Sequence, residues 1–106
     1  MTHMKEITVR DVKDHLSAYR LIDVREDYEW NGDLGHIKGA QLIPMGNIPA
    51  HLEQFSKTEE ILLICRSGNR SGMIGQFMAS KGYQVTNLLG GMMSWHAHHL
   101  PVSRED

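Results

Sequence analysis

The sequence predicts an α/β domain with a five-stranded, mostly parallel sheet and helices on both faces. Three observations carry that prediction. Short apolar runs alternate with segments of helical periodicity along the chain. After Glu60, the run Ile61-Leu62-Leu63-Ile64 is apolar at successive positions, as expected of a central strand covered on both faces. The 106 residues hold no internal repeat, low-complexity tract or linker, which suits one domain able to bury a core by itself.

The elements follow in order. Glu6-Ile7-Thr8 reads as a first strand. Thr8 with Asp11 makes an N-cap pair for a helix whose face is Val12, Leu16 and Tyr19, ending near Ala18. Arg20 to Val24 is the second strand, and Glu26 to Trp30 a helical turn closed by Asn31-Gly32. Gln41-Leu42-Ile43 is a third strand, stopped by Pro44. Ile48, Leu52 and Phe55 suit a short helix with Pro49 in its first turn. After the fourth strand, Ser71 to Lys81 reads as a helix with Met73, Ile74, Phe77 and Met78 inward and Gly82 at C′. Gln84 to Leu88 is the fifth strand. Gly90-Gly91 then turns the chain into a last helix, Met92 to about His98, before Pro101.

Composition narrows the function. A net charge of −2 and a pI near 6.4 give no general surface for nucleic acid or membrane. No apolar run approaches the roughly 20 residues that span a bilayer. The start, Met1 to Glu6, lacks the apolar segment of a secretory signal. Met4 offers an alternative start, which would make Met1 to His3 an expression remnant. One cysteine excludes an intramolecular disulfide and fits a reducing, cytoplasmic setting.

That cysteine, Cys65, ends the central apolar strand and opens Arg66-Ser67-Gly68-Asn69-Arg70-Ser71. In open parallel sheets, ligands bind beyond the carboxyl ends of the strands. Cys65 lies at such an end, as do Asp23 and Arg25 after the second strand. Gly68 permits a close backbone turn, so the N–H groups from Arg66 to Ser71 are expected to converge on the sulfur as an anion-holding nest. The following helix N-terminus adds positive partial charge. Such a setting favours a thiolate at neutral pH, and a thiolate is a nucleophile. A cysteine sealed among apolar side chains would instead be an inert small hydrophobe. Arg66 and Arg70, with no acid in the loop, point to a small anionic substrate.

The same stretch resembles the active-site loop of the rhodanese family of sulfurtransferases. Leu21-Ile22-Asp23-Val24-Arg25-Glu26 with Tyr28-Glu29-Trp30, and Gly35-His36-Ile37-Lys38-Gly39-Ala40 with Ile43-Pro44, resemble that family's first two signatures. Gly82-Tyr83-Gln84-Val85, Leu88-Leu89-Gly90-Gly91-Met92 and Trp95 resemble its closing strand and helix. The match runs through nearly the whole chain. It implies a single rhodanese domain over residues 1–106 in which Cys65 takes a sulfane sulfur from a donor such as thiosulfate. The resulting persulfide would pass its sulfur to cyanide, a thiol or a protein acceptor, with no cofactor or metal. Residues 66–71 would cradle the persulfide, and the two loop arginines would attract the donor and ease the release of sulfite. With no second cysteine, an external acceptor must discharge it. The resemblance also implies rivals: a rhodanese-like binding or sulfur-carrier module, and a phosphatase or arsenate reductase. The related cell-cycle phosphatase loop is one residue longer and fits phosphate, whereas Cys65-x4-Arg70 is the shorter type.

Other residues read as structural. Asp23 and Arg25 suit a network in which Arg25 pairs with Glu26 or Glu29 and Asp23 accepts loop N–H groups, although both could support substrate orientation. His36 suits packing. His96, His98 and His99 do not share one helix face, which argues against a metal set. Met73, Met78, Met92 and Met93 suit core or rim, with Met92 and Trp95 as alternative lining of a pocket mouth. Ser67, Asn69 and Ser71 could hydrogen-bond a substrate, and Ser71 also suits the helix N-cap.

Overall fold

A computed structural model describes residues 3–104. The reading of Met1 to His3 as a remnant therefore falls largely on Met1 and Thr2, which lie outside the described residues. Five strands form one sheet: β1 (Lys5–Ile7), β2 (Arg20–Asp23), β3 (Gln41–Leu42), β4 (Glu60–Ile64) and β5 (Gln84–Leu88), in the order β1-β5-β4-β2-β3. Every neighbouring pair is parallel. The expected sheet is thus present, and wholly rather than mostly parallel.

The side chains of β4 alternate between two cores. Ile61, Leu63 and Cys65 join Ile22, Val24, Ile48, Phe55, Ile74, Met78 and Val85 on one face. Leu62 and Ile64 join Val9, Val12, Leu21, Leu88, Met92 and Trp95 on the other. A strand buried on both sides has no polar face to spare, and β4 duly sits between β5 and β2. The first core is covered by α3 (Ile48–His51) and α4 (Asn69–Ser80), the second by α1 (Val9–Val12) and α5 (Gly91–Ala97).

Several boundaries differ from the sequence reading. Thr8 caps α1, accepting from the Asp11 N–H at 3.2 Å, so β1 ends one residue earlier. The predicted helix to Ala18 splits: α1 ends at Val12, and a 3-10 turn follows at Leu16–Ala18. Between them His15 donates its N–H to Val12 O, an i to i−3 bond that tightens the chain out of the α-helix. Leu16 and Tyr19 still pack on the second core. Residues 45–54 are likewise a chain of single turns, with α3 between 3-10 turns at Met45–Asn47 and Leu52–Gln54. Met73 and Met93 face solvent, at 67% and 50% exposure, because they lie on the outward sides of α4 and α5. Met92 and Trp95 are buried in the second core, and Trp95 also lines a cleft with Ile37 and Val102 that does not include Cys65.

Candidate active site

Parallel strands bring the ends of β2, β4 and β5 to one edge of the sheet. Cys65 leaves β4 there, and three residues later Gly68 turns back at φ 97° to cap α4. That left-handed backbone suits glycine, and a Cβ at this position would also press on the Gly90 nitrogen at 3.2 Å. The helix begins at Asn69, two residues before the expected start. Ser71 therefore lies in the first turn, and Gly68 takes the N-cap place foreseen for Ser71.

The turn aims donors at the sulfur. Gly68 donates its N–H to Cys65 Sγ at 3.0 Å, and the Ser71 hydroxyl lies 3.2 Å from the same atom. The expected ring of N–H groups from Arg66 to Ser71 is thus narrower than predicted. One backbone donor and one hydroxyl reach Sγ among the described residues. The loop's carbonyls point elsewhere. Met92 and Met93, in the first turn of α5, donate their N–H groups to Cys65 O and Arg66 O at 2.8 and 2.9 Å. Gly91 permits that approach: at φ 54° it lies so close that a Cβ would collide with Cys65 O and Arg66 O. The sulfur is therefore faced by donors, with the adjacent carbonyls held away by α5.

The other half of the expectation differs. Cys65 is 0% exposed and belongs to the first core. Two clefts of about 400 and 370 Å³, lined respectively by Arg10, Leu89 and His98 and by Ile37, Trp95 and Val102, do not include it. Burial and a donor set coincide at this thiol. An inert core cysteine has the first without the second.

Arg70 does not lie free over the loop. Its Nη1 and Nη2 donate to the two oxygens of Glu29 at 2.7 and 2.8 Å, and Glu29 also accepts the Glu26 N–H at 2.8 Å. Glu29 belongs to α2 (Asp27–Trp30), capped by Glu26 in a reciprocal capping box. The Arg70 hydrogen bonds hold the Glu29 carboxyl down at about 2 against an ordinary 4.5, with smaller help from the Glu26 N–H and the Arg25 charge and despite partial burial. Arg70 is pushed up, chiefly by Glu29, with the Cys65 sulfur adding to the effect. Arg66 is the more available cation, 46% exposed and 3.6 Å from the exposed Asp33.

Asp23 and Arg25 are both buried, and they pair with each other. Arg25 Nε and Nη2 donate to Asp23 at 2.9 and 2.8 Å. The remaining donors reach Glu29 O at 3.3 Å and Gly35 O at 2.8 Å, and Asp23 also accepts the Arg25 N–H at 3.1 Å. A structural network is present, but its carboxylate is Asp23 and not the predicted Glu26 or Glu29. Asp23 is in reach because it ends β2 two residues before Arg25. His36 is buried, stacked on Trp30 with ring centroids 3.6 Å apart, and bonded through Nδ1 to Trp30 O at 2.9 Å. It serves packing, as read.

Two side chains reach the loop that its sequence does not predict there. Glu29, expected to pair with Arg25, gives its carboxylate to Arg70 instead. Asn87, on β5, lies 2.5 Å from Ser71 Oγ through Oδ1 and donates Nδ2 to Gly68 O at 3.1 Å. The available signal was a polar residue one position before Leu88 in a strand that pairs with the apolar β4. Tyr28, Met73, Leu89 and Met93 are the exposed large apolar side chains among the described residues. Along the chain each lies within three residues of Glu29, Arg70 or Gly90, and Leu89 lines the first cleft.

Residues 8–98 match the model of the rhodanese-like domain family. The chain is 39% identical over 101 residues to a putative sulfurtransferase, YtwF, of Bacillus subtilis, covering 92% of this chain and 96% of that protein. It is 34% identical over 83 residues to a putative sulfur carrier protein, YrkF, of the same organism, covering 77% of this chain and 44% of that protein. Among solved structures, a rhodanese-like domain protein of Staphylococcus aureus superposes with a TM-score of 0.82 at 34% identity, over 94% of this chain and 99% of that one.

Proposed function

Because this chain belongs to the rhodanese-like domain family, we propose that it is a sulfurtransferase working through a Cys65 persulfide, with thiosulfate as a competent donor. The observation that carries this reading is the pair of donors, Gly68 N–H and Ser71 O–H, on a cysteine whose own carbonyl is turned away. The Cys65 thiolate attacks the sulfane sulfur of thiosulfate and forms a new S–S bond. The donor's S–S bond breaks and sulfite leaves with the electron pair. The negative charge moves to the outer sulfur. Cyanide or a thiolate then attacks that sulfur, and Cys65 departs as a thiolate. No proton transfer is needed in either half, so a histidine against Sγ is not required.

Arg66 supplies the charge that draws an anionic donor, since Arg70 is engaged by Glu29. The buried sulfur means that side chains over the loop part before attack. The likeness to a sulfur carrier protein supports a protein as one acceptor, and the exposed Tyr28, Met73, Leu89 and Met93 offer apolar surface for it. The four residues between Cys65 and Arg70 favour sulfur over phosphate chemistry.

Intact mass before and after incubation with thiosulfate tests the reading. A gain of one sulfur atom is expected, removed by cyanide with formation of thiocyanate, and absent in Cys65→Ser. No gain from thiosulfate, polysulfide or a low-molecular-weight persulfide would leave the binding-module alternative. A gain that survives Cys65→Ser would overturn the assignment of the nucleophile.

A further inference from the structure

We infer that Asn87 is a positioning residue for sulfur transfer, holding the Ser71 hydroxyl hydrogen whenever Cys65 is loaded and returning it when Cys65 is free. The inference rests on the persulfide reading above and deepens it. Three contacts carry it. Gly68 O can only accept, so the side-chain atom of Asn87 that faces it at 3.1 Å is Nδ2, the donor. That fixes Oδ1 toward Ser71 Oγ, 2.5 Å away. The same Oγ lies 3.2 Å from Cys65 Sγ. Ser71 and Asn87 are buried at 0% and 4% exposure, so solvent does not readily replace a missing partner.

A hydroxyl has one hydrogen, and here two acceptors compete for it. When Sγ is a thiolate, the hydrogen goes to sulfur and Asn87 Oδ1 loses its donor. When Sγ carries a sulfane sulfur, the charge sits on the outer atom and Sγ becomes a poor acceptor. The hydrogen then turns to Asn87, and each group is satisfied. Asn87 therefore favours the loaded form over the free thiolate. In the first half-reaction Sγ donates its pair to the incoming sulfur, and the hydroxyl rotates away. In the second, Sγ leaves with the S–S pair, and the hydroxyl rotates back. No proton changes owner, so the device adds no co-reactant to the balance.

The test equilibrates each protein with thiosulfate and sulfite at fixed ratio and reads the loaded-to-free ratio by intact mass. Asn87→Leu removes the competing acceptor and is expected to lower that ratio about three- to tenfold, the worth of one buried hydrogen bond. In a Ser71→Ala background, Asn87→Leu is expected to change the ratio by less than about twofold, since the coupling runs through the hydroxyl. Asn87→Asp keeps the acceptor while losing the donor to Gly68 O, and its ratio is expected to stay at or above that of the wild type. Asn87 acting only as an anchor of the loop predicts equal drops in both backgrounds and a drop in Asn87→Asp, and either result overturns the inference. Should Asn87→Leu not fold, Asn87→Asp decides. A wild type that takes up no sulfur defeats the persulfide reading and this inference with it. A wild type that loads while Asn87→Leu matches it defeats this inference alone.

Discussion

Two arginines approach the same turn, α2, and meet carboxylates in the same two-pronged way, yet their surroundings differ. Arg25 and Asp23 are each 1% exposed, and the surplus donors of Arg25 are used by two loop carbonyls. Arg70 and Glu29 are 30% and 12% exposed, and their pair bridges α4 to α2 beside the Cys65 loop. The first pair is sealed and fully satisfied, so it holds the β2 end and the following loops in one arrangement. The second borders solvent, where breaking and remaking an ion pair costs far less. Burial, and not residue type, separates a structural pair from one that can shift during substrate entry. The two are also linked, because Glu29 gives its carbonyl to Arg25 and its carboxylate to Arg70.

The largest effect is expected from the sealed pair. Arg25→Leu leaves Asp23 buried without its partner and should cost about 3–5 kcal/mol of unfolding free energy. Chemical denaturation measures it, and a loss below about 1 kcal/mol would place Asp23 in contact with water and remove the contrast. Glu29→Gln should cost less, about 1–2 kcal/mol near neutral pH. The sign with pH follows from the carboxyl being depressed in the folded protein. Its stabilisation is complete above 4.5 and fades as pH falls toward about 2. The stability gap between wild type and Glu29→Gln should therefore close across that window, and a gap constant down to about 2 would mean that the charge of Glu29 contributes nothing. The smallest structural effect is expected at Arg66, whose side chain makes a long, exposed contact with Asp33. Arg66→Ala should change stability by less than about 0.5 kcal/mol. It should raise KM for thiosulfate about three- to tenfold, as removal of a charged contact to an anion does. Unchanged steady-state kinetics in that variant would return the role of the cation to Arg70.

Much of the scaffold was legible in the residues. Ile61 to Ile64 are apolar at every position, and only a central strand satisfies such a run. Gly82, at φ 93° just past α4, likewise marked a helix end. The misplaced features share a cause. The splitting of the first helix at Val12 and the start of α4 at Asn69 depend on single hydrogen bonds, which periodicity does not register. The pairing of Arg70 is not legible in the sequence because its partner, Glu29, lies 41 residues away. Asp23 was paired with backbone alone because the reach of the Arg25 side chain back along β2 is a matter of rotamer and burial.

By itself the sequence determined the class of fold and the place of Cys65 at a strand end, since strand periodicity and the Gly68 turn are local properties of the chain. The tertiary structure decided what surrounds the sulfur. Asn87 arrives from β5, α5 draws the Cys65 and Arg66 carbonyls away, and Glu29 arrives from α2 to engage Arg70. These are contacts between segments far apart in the chain, whose geometry follows from how the sheet packs and not from any local pattern.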